Sequence, residues 1–66
     1  MNNRIRVARA EVRMTQQQLA EAIGVSRQTI NAIESGKFVP STVLALKMAQ
    51  IFEKPVEEIF MLEDED

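Results

Sequence analysis

The sequence has 66 residues, 45% of them hydrophobic, 27% charged and 5% aromatic, which are proportions of a small globule rather than of a disordered chain. One domain is all that fits, and a chain this short buries only about 60% of the surface it exposes when unfolded, so a deep substrate cavity between two layers is excluded. With no cysteine and no histidine, the chain has no disulfide staple, no thiolate nucleophile and none of the commonest zinc, copper or haem ligands; no cofactor, metal or small-molecule substrate is expected.

The N-terminal apolar segment is interrupted by Arg4, Arg6 and Arg9 and has no small-residue cleavage site, so it does not read as a secretory signal. No stretch approaches the roughly 18 apolar residues of a membrane span. The chain therefore reads as cytoplasmic, with no membrane partner. The formal net charge of −2 hides an asymmetry: residues 1–37 carry six cations against three glutamates, whereas residues 38–66 carry two lysines against seven carboxylates. From charge alone two readings stand, ordinary solvated charges with an acidic end, or one face suited to an anion and another that repels it.

No segment sustains a period of two, and Gly24, Gly36, Pro40 and Pro55 punctuate the chain at intervals suited to short helices. The fold class is all-α with five helices. The first is expected to start near Asn2 or Asn3 as cap, with Ile5, Ala8 and Val12 on one face. Thr15 then reads as an N-cap completed by Gln18 three residues later, with Met14 and Leu19 as a hydrophobic staple, and this second helix runs to about Ile23. Gly24 follows where the chain must turn with positive φ. Ser26 caps the third helix only two residues later, with Val25 and Ile30 as its staple, and the short glycine turn gives a helix-turn-helix unit. The third helix ends at Glu34 or Ser35, with Gly36 as left-handed cap. Ser41 caps a fourth helix reaching about Phe52, and Pro55 suits the first turn of a fifth ending near Phe60.

The third helix carries the most informative pattern. At about 100° per residue from Arg27, Asn31, Ser35, Gln28 and Ala32 fall within an arc of about 140°, and Ile33 and Ile30 fall on the other side. An exposed face is ordinarily filled with glutamate and lysine; this arc holds small or hydrogen-bonding side chains and one long cation. Such an arc suits a base-pair edge: arginine bonds guanine bidentately, asparagine and glutamine bond adenine, and alanine allows close approach. Gln16 and Gln17 lie in the first turn of the second helix, where free backbone N–H groups can hold a phosphate. They are also acceptable as plain exposed helix residues.

From Ile5 to Phe60 the sequence resembles the single-domain helix-turn-helix DNA-binding proteins of the phage repressor and Cro type. Gln16 opens the motif, Leu19, Ile23, Val25, Ile30 and Ile33 fill its apolar positions, Ala20 its close-packing position and Gly24 its turn; Glu34 to Lys37 is similar to the family's exit from the recognition helix, and Pro40 to Phe60 to its last two helices. The resemblance implies that Arg27, Gln28 and Asn31 face the major groove, with Gln16 at its edge, on base or phosphate. Ser26, Lys37 and the backbone near Gly36 would hold phosphates. It also implies a structural pair, Arg9 with Glu34, joining the first helix to the end of the third. Two positions depart from the family: Glu53 and Lys54 stand where glycine is common after the fourth helix, and Ala8 where leucine is common.

The fourth helix has more apolar residues than one face needs. Beyond a core stripe of Leu44, Ala45, Met48, Ala49 and Phe52, it carries Val43, Leu46 and Ile51, and Met61 and Leu62 follow the fifth helix. Surplus apolar surface on a small domain predicts a homodimer through these five residues, which would set two recognition helices about 34 Å apart on an inverted-repeat operator. Residues 1–62 are expected to form the domain and residues 63–66 a disordered acidic tail. The leading expectation is a non-enzymatic regulator, a repressor, binding duplex DNA. The rivals are a protein-interaction or antitoxin module using the same fold, and an enzyme, disfavoured by the lack of any clustered nucleophile or metal set.

Overall fold

Three hydroxyl side chains set the helix starts around which the domain is built. In the computed structural model, which describes residues 1–66, Thr15 Oγ1 accepts from Gln18 N at 3.0 Å while Gln18 Oε1 accepts from Thr15 N at 2.9 Å, a complete capping box. Ser26 Oγ accepts from Thr29 N at 3.1 Å, and Ser41 Oγ from Leu44 N at 3.2 Å. Each bond gives a first-turn amide a side-chain acceptor, worth about 1 kcal/mol, and Thr29 N shares its proton with Ser26 O at 3.1 Å as well.

The helices are α1 (Ile5–Glu11), α2 (Gln16–Ile23), α3 (Arg27–Glu34), α4 (Thr42–Phe52) and α5 (Val56–Ile59). Between α2 and α3, Gly24 takes φ +79° and its N–H bonds Ala20 O at 2.9 Å, so only three residues separate the two helices. Nothing lies within 4 Å of a Cβ added there; glycine is needed for its backbone angle, not for space. Ile5 and Ala8 of α1, Leu19 and Ile23 of α2, Ile30 and Ile33 of α3, Met48 and Phe52 of α4 and Ile59 of α5 close the core. Lys47 reaches the end of α2, donating from Nζ to Ile23 O at 3.4 Å, where a cation also meets the negative end of the helix.

The chain ends differ from the sequence-based expectation. Asn2–Asn3 (β1) pairs antiparallel with Phe60–Met61 (β2), Asn2 opposite Met61 and Asn3 opposite Phe60. Thus α1 starts at Ile5 behind Arg4, although Asn3 Oδ1 still accepts from Ile5 N at 3.2 Å in the manner of a cap. Phe60 leaves α5 for the ribbon, and Pro55 precedes α5 as its N-cap rather than lying in its first turn. Val12, expected on the core face, ends α1 and is 40% exposed, because the chain reverses at Arg13 with φ +57°. At the corner after α4, Glu53 itself takes the left-handed conformation with φ +53°, the place a glycine would occupy without strain. Beyond β2, Asp66 Oδ2 accepts from Glu63 N at 2.8 Å and lies 3.1 Å from the Met1 ammonium.

Candidate nucleic-acid interface

The core fixes the rotation of α3. With Ile30 and Ile33 fully buried, the opposite side of the helix is carried outward, and Arg27, Gln28, Asn31 and Ser35 are all exposed. Arg27 and Gln28 make no side-chain hydrogen bond or ion pair, so their donors and acceptors are free for a ligand. Lys37, just beyond the left-handed Gly36, is likewise exposed and unpaired. Ser35 Oγ donates to Ala32 O at 3.2 Å.

The other sequence-selected residues have partners. Ser26 Oγ, already accepting from the backbone, lies 3.0 Å from Thr29 Oγ1. Gln17 Nε2 donates to Glu21 Oε1 at 3.0 Å along the outside of α2. Gln16 turns instead toward α3, where its Nε2 donates to Glu34 Oε1 at 3.2 Å and to Asn31 Oδ1 at 3.3 Å.

Behind this face the Arg9–Glu34 pair is closed. Arg9 Nε donates to Glu34 Oε2 at 2.6 Å and its Nη2 to Glu34 Oε1 at 3.2 Å, a two-point grip, while Nη1 donates to Met14 O at 2.8 Å in the turn before α2. The Glu34 side chain is 1% exposed. Burial pushes its carboxyl upward, but the hydrogen bonds from Arg9 and Gln16, with the charges of Arg9 and Arg6, prevail and hold it below the usual glutamate range. One carboxylate thereby joins α1, the α1–α2 turn, α2 and α3.

Two residues of this region escaped the sequence reading. Arg6 is 76% exposed at its side chain and places Nε 3.6 Å from Glu34 Oε1, a cation at the rim of the α3 face that is only loosely held. Its position one turn before Arg9 was visible; the proximity of α1 to the end of α3 was not. Asn3 Nδ2 donates to Ile33 O at 2.9 Å from thirty residues away, a second bond to a carbonyl that Gly36 N also reaches at 3.1 Å, and no local pattern marks it.

A second surface lies on α4. Val43 is 61% and Leu46 53% exposed, and Val39 before the helix is 61% exposed. Leu46 and Val39 rim a shallow apolar groove whose other walls include Ala45, Val56 and Phe60. Leu62 is exposed as well, but Ile51 and Met61, also selected from the sequence, are half-buried; Ile51 packs against the core. Phe38 and Val39, in the loop before α4, add exposed apolar area that the sequence reading did not select.

A helix-turn-helix family model matches residues 5–59, spanning α1 to α5. The chain belongs to the helix-turn-helix family of repressor and Cro type. It is similar to the uncharacterized HTH-type transcriptional regulator MJ0272 of Methanocaldococcus jannaschii, 48% identical over 66 residues that span all of both chains. The same holds for YgzD of Bacillus subtilis, also named an uncharacterized HTH-type transcriptional regulator, at 44% identity over the full length of both. Among solved structures, the restriction-modification controller protein C.AhdI of Aeromonas hydrophila superposes with a TM-score of 0.76 over 85% of each chain at 28% identity. Within this helix-turn-helix protein, α2 and α3 form the motif, and the family is one of DNA-binding transcriptional regulators. No helix is long and apolar enough to cross a membrane.

Proposed function

We propose that the protein is a sequence-specific repressor that binds an inverted-repeat operator in duplex DNA as a homodimer. The observation that carries the reading is the outward face of α3, where Arg27 and Gln28 stand free beside Asn31 on a helix that the Arg9–Glu34 grip holds in place. A bidentate arginine on guanine and amides on neighbouring bases are the contacts such a face makes in a major groove. Lys37 and Arg6 at its rim, with Ser26 and Gln17 at the helix starts, supply the phosphate contacts. Gln16 stands at the groove edge behind Asn31.

Dimerisation is supported by the exposed apolar side chains of Val43 and Leu46 on α4, of which Leu46 lines one groove with Val39. A twofold pair joined there would offer two α3 faces to successive major grooves, about 34 Å apart. Selection from randomised duplexes, repeated across a salt series, tests the whole reading. The expected result is a twofold-symmetric site whose log affinity falls linearly with log salt at about −0.9 per phosphate contacted. Enrichment of no duplex, even at low salt, together with capture of a protein partner through α4, would instead favour the interaction-module reading.

A further inference from the structure

Gln16 stands where the buried ion pair meets the surface of α3. Its Nε2 is 3.2 Å from Glu34 Oε1 and 3.3 Å from Asn31 Oδ1. An ionised carboxylate has only acceptors, so a Gln16 amide turned the other way would set its oxygen against the Glu34 oxygen with no proton between them. The depressed pKa of Glu34, in which hydrogen bonds and the arginine charges outweigh burial, keeps that carboxylate ionised at neutral pH. The NH2 group of Gln16 therefore points inward, and its two hydrogens meet two acceptors. The second acceptor is the oxygen of Asn31. That bond turns the oxygen end of the Asn31 amide toward α2 and leaves Nδ2, which has no partner in the protein, at the outer end of an exposed side chain.

We propose that Glu34 and Gln16 form a hydrogen-bond relay that fixes the polarity of the Asn31 amide, so that Asn31 reads its base through N–H donation and Gln16 serves as a positioning residue. The inference rests on the DNA-binding reading above. A donor held outward matches a base with an acceptor on its major-groove edge, which purine N7, guanine O6 and thymine O4 provide; cytosine shows only the N4 donor there and is rejected. Without the relay the amide can rotate by half a turn and offer either end, and discrimination at that position is lost.

The test compares Gln16→Met, which keeps the length of the side chain but removes its donors, with Asn31→Ala. In selection from randomised duplexes, the parent protein should disfavour cytosine at one position of each half-site by about tenfold, and both variants should reduce this to about twofold at that same position and at no other. Loss at different positions in the two variants, or an equal loss of affinity for every duplex, overturns the proposal, the first because Gln16 then reads a base itself and the second because its role is then only structural. A second measurement needs no DNA: nitrogen-15 relaxation of the Asn31 side-chain amide should show greater mobility in Gln16→Met than in the parent. Unchanged mobility overturns the relay whatever the duplex selection gives. A parent whose Asn31 is restrained but which enriches no duplex overturns the DNA-binding reading, and the base assignment with it.

Discussion

The helices α3 and α4 begin alike, each behind a serine whose hydroxyl accepts an amide of the first turn, and each buries one face in the same core. Their outer faces are opposites. That of α3 is polar and backed by a chain of hydrogen bonds running from Arg9 through Glu34 and Gln16 to Asn31; that of α4 exposes Val43 and Leu46 without any such backing. Reading a base edge needs donors and acceptors held to within a fraction of an ångström, so the support lies under α3. The proposed association with a second subunit would draw on non-directional burial, for which branched apolar side chains on α4 would suffice.

The largest expected effect tests the support under α3. Arg9→Ala leaves the nearly buried Glu34 carboxylate with only the Gln16 amide and the loosely held Arg6, and should cost up to about 3 kcal/mol of stability, seen as a fall in the thermal midpoint. An unchanged midpoint would mean that the grip contributes nothing. The same pair has a pH signature. Because folding lowers the pKa of Glu34, its contribution is present above the ordinary glutamate value of 4.5 and is lost as pH falls through the lower folded value. Acid titration of Glu34→Gln should therefore give a flatter stability profile than the parent in that window.

The α4 side of the comparison is tested next. Leu46→Glu should weaken the proposed dimer by at least about tenfold in sedimentation equilibrium, given the roughly 1.5 to 3 kcal/mol gained by burying one leucine. The fold should survive, since the side chain is 53% exposed within the subunit. Within the α3 face, Arg27→Ala should cost about 1 to 3 kcal/mol at one base position, whereas Lys37→Ala should weaken all sequences alike and reduce the salt slope by about one. The smallest change expected is a gain: Glu53→Gly relieves a left-handed residue at the end of α4 and should raise stability by about 1 kcal/mol in denaturant titration.

The parts legible in the sequence are those whose causes are local. Thr15, Ser26 and Ser41 cap within three residues, Gly24 and Gly36 adopt the left-handed turns that their neighbours require, and the isoleucines of α3 set its rotation. The ribbon was not legible because two asparagines carry no strand signal and their partners lie almost sixty residues away. The hydrogen bond of Asn3 to α3 was hidden for the same reason. Counting apolar residues on α4 overestimated its free surface, because Ile51 finds cover in the core; the exposed Phe38 and Val39 lie in a loop where helical periodicity says nothing. The link of Gln16 to Asn31 depends on how α2 and α3 cross, a relation that spacing along the chain does not specify.

The ribbon of Asn2–Asn3 with Phe60–Met61 has a mechanical consequence. Asn3 is tied both to Phe60, which forms part of the wall beside the α4 groove, and to the last carbonyls of α3. If the proposed second subunit docks on that wall, the gap between the two α3 helices would be gauged through this short strut rather than through a pliable linker. In the proposed dimer such a brace would act as a ruler, and a target whose halves are pushed apart by one base pair should go unread even when every letter within each half is kept.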